Sequence, residues 1–159
     1  MRPFVAITLA FAGWVGVVFA GILVITTLGG DGDEPQATDG QVANQTVAIV
    51  TPEDGASVDA GDIVITVAVG GFEIVDKLGD DAVDGEGHLI FYLDVDEMPT
   101  MPGQEALIED ARSSHAAAST SYTWKFVRPG THSFGVQLVN NDHTPLEPPV
   151  LDDVEVTVE

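Results

Sequence analysis

The sequence predicts an all-β outer domain, an antiparallel β-sandwich of about seven strands, carried on one N-terminal transmembrane helix. The first supporting observation is an apolar run from Phe4 to Leu28 that contains no charged side chain. The second is a change, from Thr46 onward, to short runs of β-branched and aromatic residues separated by turn-forming residues. These runs are evenly spaced with no helices between them, a pattern typical of an antiparallel sandwich.

The run from Phe4 to Leu28 has the length of a membrane anchor. As a helix its 25 residues would span roughly 37 Å, which exceeds the roughly 30 Å hydrocarbon core of a bilayer. We therefore assign residues 1–28 to an N-terminal anchor, and Arg2 favours a cytoplasmic N-terminus. A cleaved signal peptide is the alternative, because Val18-Phe19-Ala20 offers small residues near a cleavage point. The apolar region of a signal peptide is usually shorter, about 7 to 15 residues.

The remaining chain divides into a stalk and one domain. Residues 29–43 contain Gly, Pro and acidic residues without an apolar period, which predicts a flexible acidic stalk. Residues 44–159 have the usual size of a single domain, which we place outside the cytoplasm. The chain has no cysteine, so its apolar core must hold this domain together without disulfides. The absence of cysteine also excludes a blue-copper site and thiol nucleophiles.

The charge of the chain limits its partners. The 159 residues carry 26 acidic and five basic side chains, a formal net charge of −21. Such a surface repels nucleic acid, so we predict no nucleic-acid partner. Abundant Asp with little Lys is also typical of proteins that stay soluble in a salty medium, where screening lets like charges coexist.

The predicted strands follow one another at short intervals, each bounded by turn residues. The Arg128–Thr131 turn is expected to use Gly130 for its positive φ. The strands are Thr46–Thr51, Ile63–Val69, His88–Asp94, Ser121–Val127, His132–Val139 and Asp153–Glu159.

Alternation within three of these strands predicts which side chains face inward. One face of each strand is apolar or aromatic, and the other is polar. The inward sets are Tyr122, Trp124 and Phe126; His132, Phe134, Val136 and Leu138; and Val154, Val156 and Val158.

The connection from Glu97 to Thr120 is long for a structureless loop in a compact domain. Good helix formers in Gln104–Arg112 predict a short helix there. A brief extra strand near Ala116–Ala118 is also expected.

The last third of the chain carries a recognisable signature, Asn141-Asp142-His143-Thr144-Pro145 followed by Pro148-Pro149-Val150. With Gly85-Glu86-Gly87-His88 and Arg128-Pro129-Gly130-Thr131-His132 upstream, it resembles an exported bacterial domain family of unknown function. The resemblance covers residues 51–159 approximately and implies an immunoglobulin-like fold. It implies no activity, because the family has none assigned. This chain has Leu89 and Ile90 where family members often carry histidines.

Six side chains are candidate ligands for a metal ion. Imidazole and thioether groups together suit copper, and methionine favours Cu(I). Because His88 and His132 each open a predicted strand, we expect both near one end of the sandwich. The six are His88, Met98, Met101, His115, His132 and His143.

The leading functional hypothesis is a membrane-anchored, extracytoplasmic binding or accessory module without enzymatic activity and without a cofactor. Loops at one end of such a sandwich commonly carry recognition, and Asn141, Asp142, His143 and Thr144 form the candidate binding loop. No nucleophile elbow is present, and no carboxylate pair stands out. One alternative is an extracytoplasmic copper-binding protein using the His/Met cluster. Another is an accessory subunit of a membrane complex, with a protein partner at the cell surface.

Overall fold

The computed structural model describes residues 44–108, 110 and 112–159. The predicted anchor (residues 1–28) and the predicted stalk (residues 29–43) lie outside the described residues. The part that is described is all-β and contains no helix. In particular, none of its segments is a helix long and apolar enough to cross a membrane.

The described residues form nine strands, and seven of these have four or more residues, in agreement with the prediction of about seven. Every strand expected from the sequence is present, although several begin earlier. The strands are β1 (Thr46–Thr51), β2 (Ser57–Val58), β3 (Gly61–Gly70), β4 (Glu73–Ile74), β5 (Glu86–Leu93), β6 (Ser114–Ala117), β7 (Ser121–Val127), β8 (Gly130–Val139) and β9 (Pro145–Val158).

Two sheets form the layers of a β-sandwich. A three-stranded sheet has the order β1-β3-β7, and a six-stranded sheet has the order β2-β9-β8-β5-β4, with β6 also paired to β5. The longer pairings are all antiparallel, whereas the two-residue strands β2 and β4 pair in parallel with β9 and β5. Buried side chains from both sheets, among them Ile65 and Trp124 on one side and Phe91 and Val156 on the other, form one apolar core.

Two of the three predicted inward faces are confirmed. Phe134, Val136 and Leu138 of β8 are fully buried in the core, and His132 at the start of the same face is half-buried. The three alternate valines of β9 are also buried in this core. Side-chain alternation along a strand therefore identified the core faces of β8 and β9 correctly.

The inward face predicted for β7 is wrong at Phe126. Ile63 pairs with Trp124 and Gly61 with Val127, so two residues of β7 oppose Asp62 alone, which is a β-bulge. Phe126 has a φ of 58° and its side chain is 85% exposed. The bulge shifts the alternation by one residue, so Val127 takes the buried place that Phe126 was expected to fill.

The helix predicted for Gln104–Arg112 is also wrong, because the described residues of that segment are irregular. Its backbone groups are bonded to distant parts of the chain. The N–H of Ala106 donates to the carbonyl of His143 at 2.8 Å, and the hydroxyl of Tyr92 donates to the carbonyl of Ala106 at 2.9 Å. The backbone of Ile108 bonds to the hydroxyl of Ser114. These tertiary bonds override the local helix propensity.

The long connection after β5 covers the outer face of the six-stranded sheet. Residues of β5 alternate between two apolar clusters: Leu89 and Phe91 face the main core, whereas Ile90 and Tyr92 face a smaller one. Side chains of the connection pack on this smaller cluster. β5 is consequently buried on both faces over most of its length. The predicted extra strand in this connection is present as β6.

Gly87 of β5 lies too close to neighbouring atoms for a side chain to fit without a shift of the backbone. A Cβ at this position would overlap the carbonyl oxygen of Val139 and contact the ring of Phe72. We expect Gly87→Ala to lower the free energy of unfolding by about 3 kcal/mol, since backbone must move. Gly85→Ala, at an open position with a φ of 82°, should cost only about 1 kcal/mol. Urea denaturation followed by circular dichroism measures the free energy of unfolding of both variants. Equal losses of stability would contradict the predicted steric clash at Gly87.

Candidate functional site

The candidate site lies at the start of β5, where His88 enters the sheet. His88 pairs with Val139 at the end of β8, and its side chain is 0% exposed. Strand alternation places it on the same face as Ile90 and Tyr92, the face that the long connection covers. A polar side chain is thus held in the layer between the sheet and its cover.

The imidazole of His88 contacts the imidazole of His143. The two ring centroids are 4.8 Å apart, and the rings meet edge to face at an angle of 81°. His143 adopts a φ of 65°. Its N–H donates to the carbonyl of Asn140 at 3.1 Å, and its own carbonyl accepts the N–H of Ala106 at 2.8 Å. The loop backbone therefore fixes the position of His143 over His88.

Asn141 ties this loop to the segment before β5. It is 0% exposed, and its side-chain N–H group donates to Oε1 of Glu86 at 3.0 Å. The same Glu86 oxygen accepts a 2.7 Å bond from Lys77, and these two donors, Lys77 first, lower the pKa of Glu86. The carbonyl of Asn141 accepts the N–H of Gly79 at 2.7 Å. The predicted binding loop is thus largely packed against its neighbours.

Asp142 and Thr144 shape the turn of the loop. Oδ1 of Asp142 accepts the hydroxyl of Thr144 at 2.6 Å and its backbone N–H at 3.1 Å. The hydroxyl bond is the main reason that the pKa of Asp142 lies below its ordinary value. A side chain bonded to a backbone group two residues on is a common way to build a turn. Asp142 and Thr144 therefore position Asn141 and His143.

Three buried polar atoms of His88 and Asn141 have no hydrogen-bond partner among residues 44–108, 110 and 112–159. They are Nδ1 and Nε2 of His88 and Oδ1 of Asn141. A buried polar atom without a partner costs about 1–3 kcal/mol, so native structures rarely contain three together. We define the His88–His143 site as His88, Asn141 and His143.

Burial keeps the His88 imidazole neutral. Desolvation, followed by the neighbouring His143, lowers the pKa of His88 from 6.5 to about 4, with Asp142 acting in the opposite direction. A neutral imidazole retains a lone pair, which is what a metal ion requires of a histidine ligand.

The structure separates His88 from His132, contrary to the expectation that both lie near one end. His88 pairs with Val139 of β8, whereas His132 lies near the start of β8 and pairs with Val156. Seven residues of β8 separate the two positions, roughly 24 Å at about 3.4 Å per residue. β5 and β8 are antiparallel neighbours, so their first residues lie at opposite ends of the sheet.

His132 and His115 are already engaged with other groups. Nδ1 of His132 lies 2.8 Å from a carboxylate oxygen of Asp94, and its Nε2 lies 2.9 Å from the carbonyl of Arg128. The His115 ring stacks on Tyr122 with centroids 4.2 Å apart. Burial lowers the pKa of His115.

The two candidate methionines also lie away from His88. Met98 packs against Gly135 and Tyr92, which is four residues from His88 on the same strand, roughly 13 Å. Met101 is 62% exposed. Within residues 44–108, 110 and 112–159, no three His, Asp or Glu side chains form a group that could hold a metal ion. The structure therefore brings together His88 and His143 but not the whole predicted ligand set.

Sequence reasoning missed the buried polar groups that support the site. The hydroxyl of Tyr92 lies 2.9 Å from Oε1 of Gln137, whose side-chain nitrogen donates to the carbonyl of Pro99 at 3.0 Å. These bonds hold the long connection on the sheet, and burial raises the pKa of Tyr92. Gln137 falls at an outward position of an alternating strand, so only the covering connection makes it buried. No local sequence pattern indicates that Gln137 is buried.

Comparisons with known proteins give distant similarities only. No protein-family model and no curated protein matches the chain. Among solved structures, the chain is similar to fibronectin(III)-like modules of CbhA from Clostridium thermocellum, with 18% identity, a TM-score of 0.41, and coverage of 74% of this chain and 47% of that one. It is also similar to an engineered protein, with 15% identity, a TM-score of 0.43, and coverage of 72% and 20%.

A further similarity is to the endo-beta-1,4-mannanase from Thermotoga petrophila, with 11% identity, a TM-score of 0.39, and coverage of 77% of this chain and 21% of that one. The chain spans less than half of the length of each of these structures. None of them carries a functional argument for this protein, and the resemblance to an exported domain family stays a prediction.

The pKa of His88 predicts a pH dependence of stability. It lies at about 4 in the folded state against an ordinary value of 6.5, so acid protonates the unfolded state first. The free energy of unfolding should therefore fall by up to about 3 kcal/mol, through this group, as pH decreases from about 6.5 to 4. His88→Leu should abolish the part of this pH dependence that comes from His88 and leave the part that comes from the carboxylates. Denaturation of the wild type and of His88→Leu at several pH values tests this prediction. Parallel plots of the free energy of unfolding against pH would contradict it.

Proposed function

We propose that the 44–159 domain is a non-enzymatic binding module whose ligand is a transition-metal ion held by the imidazoles of His88 and His143. One observation carries the proposal: both nitrogens of His88 are buried without a hydrogen-bond partner among the described residues, and the His143 ring lies beside them with ring centroids 4.8 Å apart. Imidazole nitrogen suits copper and zinc. Oδ1 of Asn141, in the same loop as His143, is likewise buried without a hydrogen-bond partner among the described residues.

The geometry favours Cu(II) or Zn²⁺ over Cu(I). The thioethers of Met98 and Met101 were the groups that pointed to Cu(I), and neither lies at His88. Two imidazoles make a nitrogen ligand set, which suits both of these ions. The domain would thus act as a metal carrier or metal-dependent binding module, which needs no catalytic residue.

The proposal also includes the immunoglobulin-like type of sandwich and an extracytoplasmic location. The two-sheet arrangement with seven strands of four or more residues supports the first. The charge-free run from Phe4 to Leu28 supports the second. If the domain lies outside the cytoplasm, protease added to spheroplasts of an expressing bacterium should degrade it while leaving a cytoplasmic marker protein intact. If the domain resists the protease until the membrane is lysed, the extracytoplasmic location is wrong.

The metal site predicts that Cu(II) or Zn²⁺ stabilises the purified full-length protein in detergent. A ligand that binds the folded state at about 100 times its Kd adds about 2.7 kcal/mol to the free energy of unfolding. His143→Gln removes one imidazole at a half-buried position, and we expect it to abolish both the rise in Tm and the nitrogen coupling in the Cu(II) electron paramagnetic resonance spectrum.

The matched controls are His115→Gln and the double variant Met98→Leu/Met101→Leu, which alter candidate ligands that lie elsewhere. Both should bind the ion as the wild type does. Stoichiometric binding that survives in His143→Gln, or the absence of binding by the wild type, would refute the site.

A further inference from the structure

A second concave site lies on the opposite part of the domain from the binding loop, between β7 and the end of β5. Its cavity volume is about 610 Å³, within the roughly 300–1,000 Å³ that small-ligand sites occupy. We call it the β7 groove and define it by its lining residues. They are Leu93, Arg112, Tyr122, Trp124, Lys125, Phe126, Val127, Arg128 and His132.

The β7 groove concentrates positive charge in an acidic protein. Only four basic residues follow Arg2 in the chain, and Arg112, Lys125 and Arg128 all line this groove. Lys125 is paired with Asp62 at 2.7 Å, whereas the two arginines form no ion pair within the described residues. Two exposed guanidinium groups at one cavity are suited to a carboxylate or sulfate.

The aromatic side chains of the β7 groove form a fixed wall. The Tyr122 and Trp124 rings meet edge to face with centroids 5.0 Å apart, and the His115 ring stacks on one face of Tyr122. Phe126 extends from the wall, 85% exposed, on a backbone with a φ of 58°. A phenylalanine in this conformation is uncommon, and such strained positions cluster at binding sites.

The Trp124 indole forms the buried part of the groove wall. Its side chain is only 5% exposed, and its N–H has no acceptor among the described residues. An unsatisfied buried donor is costly, and buried indole N–H groups usually find a partner. Because this nitrogen is closed to solvent, the indole is a rigid part of the groove wall and a fluorescent reporter of the groove.

The bulge in β7 argues against an extended peptide as the occupant. β7 is an edge strand, and edge strands can take up another strand by backbone pairing. Here Asp62 already accepts the N–H of Phe126 at 3.3 Å and the ammonium of Lys125. A bulge and a lysine on an edge oppose such pairing. Side chains, not the backbone, are therefore the recognition groups of the groove.

We propose that the β7 groove binds an anionic ligand that presents a carboxylate or sulfate next to an apolar ring face. Arg112 and Arg128 receive the anion, and the exposed ring of Phe126 receives the ring face. His132 is a positioning residue, since its Nε2 contacts the carbonyl of Arg128 at 2.9 Å while its Nδ1 contacts Asp94. An acidic sugar unit of a polysaccharide and a free aromatic acid share this chemistry.

Tryptophan fluorescence tests the proposal on the full-length protein. The chain has two tryptophans, so a Trp14→Phe background leaves Trp124 as the reporter. The probes are an oligogalacturonate, its methyl-esterified neutral form, and phenylacetate. We expect a saturable emission change with the oligogalacturonate or with phenylacetate, and none with the ester. Tighter binding of the oligogalacturonate would identify a polysaccharide source, and tighter binding of phenylacetate a free aromatic acid.

Variants of exposed side chains keep the test independent of folding. Arg128→Gln and Phe126→Ala should each weaken binding at least tenfold. Lys77→Gln, which makes the same charge change outside the groove, should leave binding unchanged. The proposal would be overturned if the neutral ester bound as well as the acid, if Lys77→Gln lost as much binding as the groove variants, or if neither acid gave a saturable emission change.

Discussion

The burial of β5 on both faces is the constraint on which the rest of this domain depends. An interior strand of an antiparallel sheet commonly shows one face to solvent, and here Val95, Met98, Ala106, Leu107 and Ile108 of the connection after β5 cover that face. The cover must itself be anchored, which explains the buried bonds of Tyr92 and Gln137 to its backbone. On the same face the loop after β8 covers His88, with the His143 ring 4.8 Å from the His88 ring, so the properties of the His88–His143 site follow from the packing of β5.

The sequence was informative wherever local periodicity determines structure. Each main strand was located, and the inward faces of β8 and β9 were assigned correctly, because alternation along a strand is a local property. The same reasoning failed at Phe126, since a one-residue bulge depends on how β7 pairs with β3 and has no local signal. It failed again at Gln104–Arg112, where tertiary hydrogen bonds replaced the helical ones.

The candidate site was only partly predictable for the same physical reason. His88 and His143 were both singled out by residue type, but their contact depends on a register between strands and loops that the sequence does not display. His132 was wrongly expected to lie near His88, because the sequence does not show how the strands are arranged within a sheet. Arg128 belonged to a predicted turn and Phe126 to a predicted aromatic face, but neither position indicated a groove; the gathering of basic side chains at one cavity is visible only in the structure.

The position of β9 has a consequence for the kinetics of folding. Ile49 of β1 donates its N–H to Asp152 of β9 across 103 positions of sequence, and Ser57 pairs with Thr157. A domain with such distant pairings has a high contact order, and its chain must close very large loops before the native contacts compensate for the lost entropy. We expect slow folding, with apolar strand edges exposed in the meantime. The high negative charge would then suppress aggregation of the incompletely folded chain, a role that is independent of any ligand.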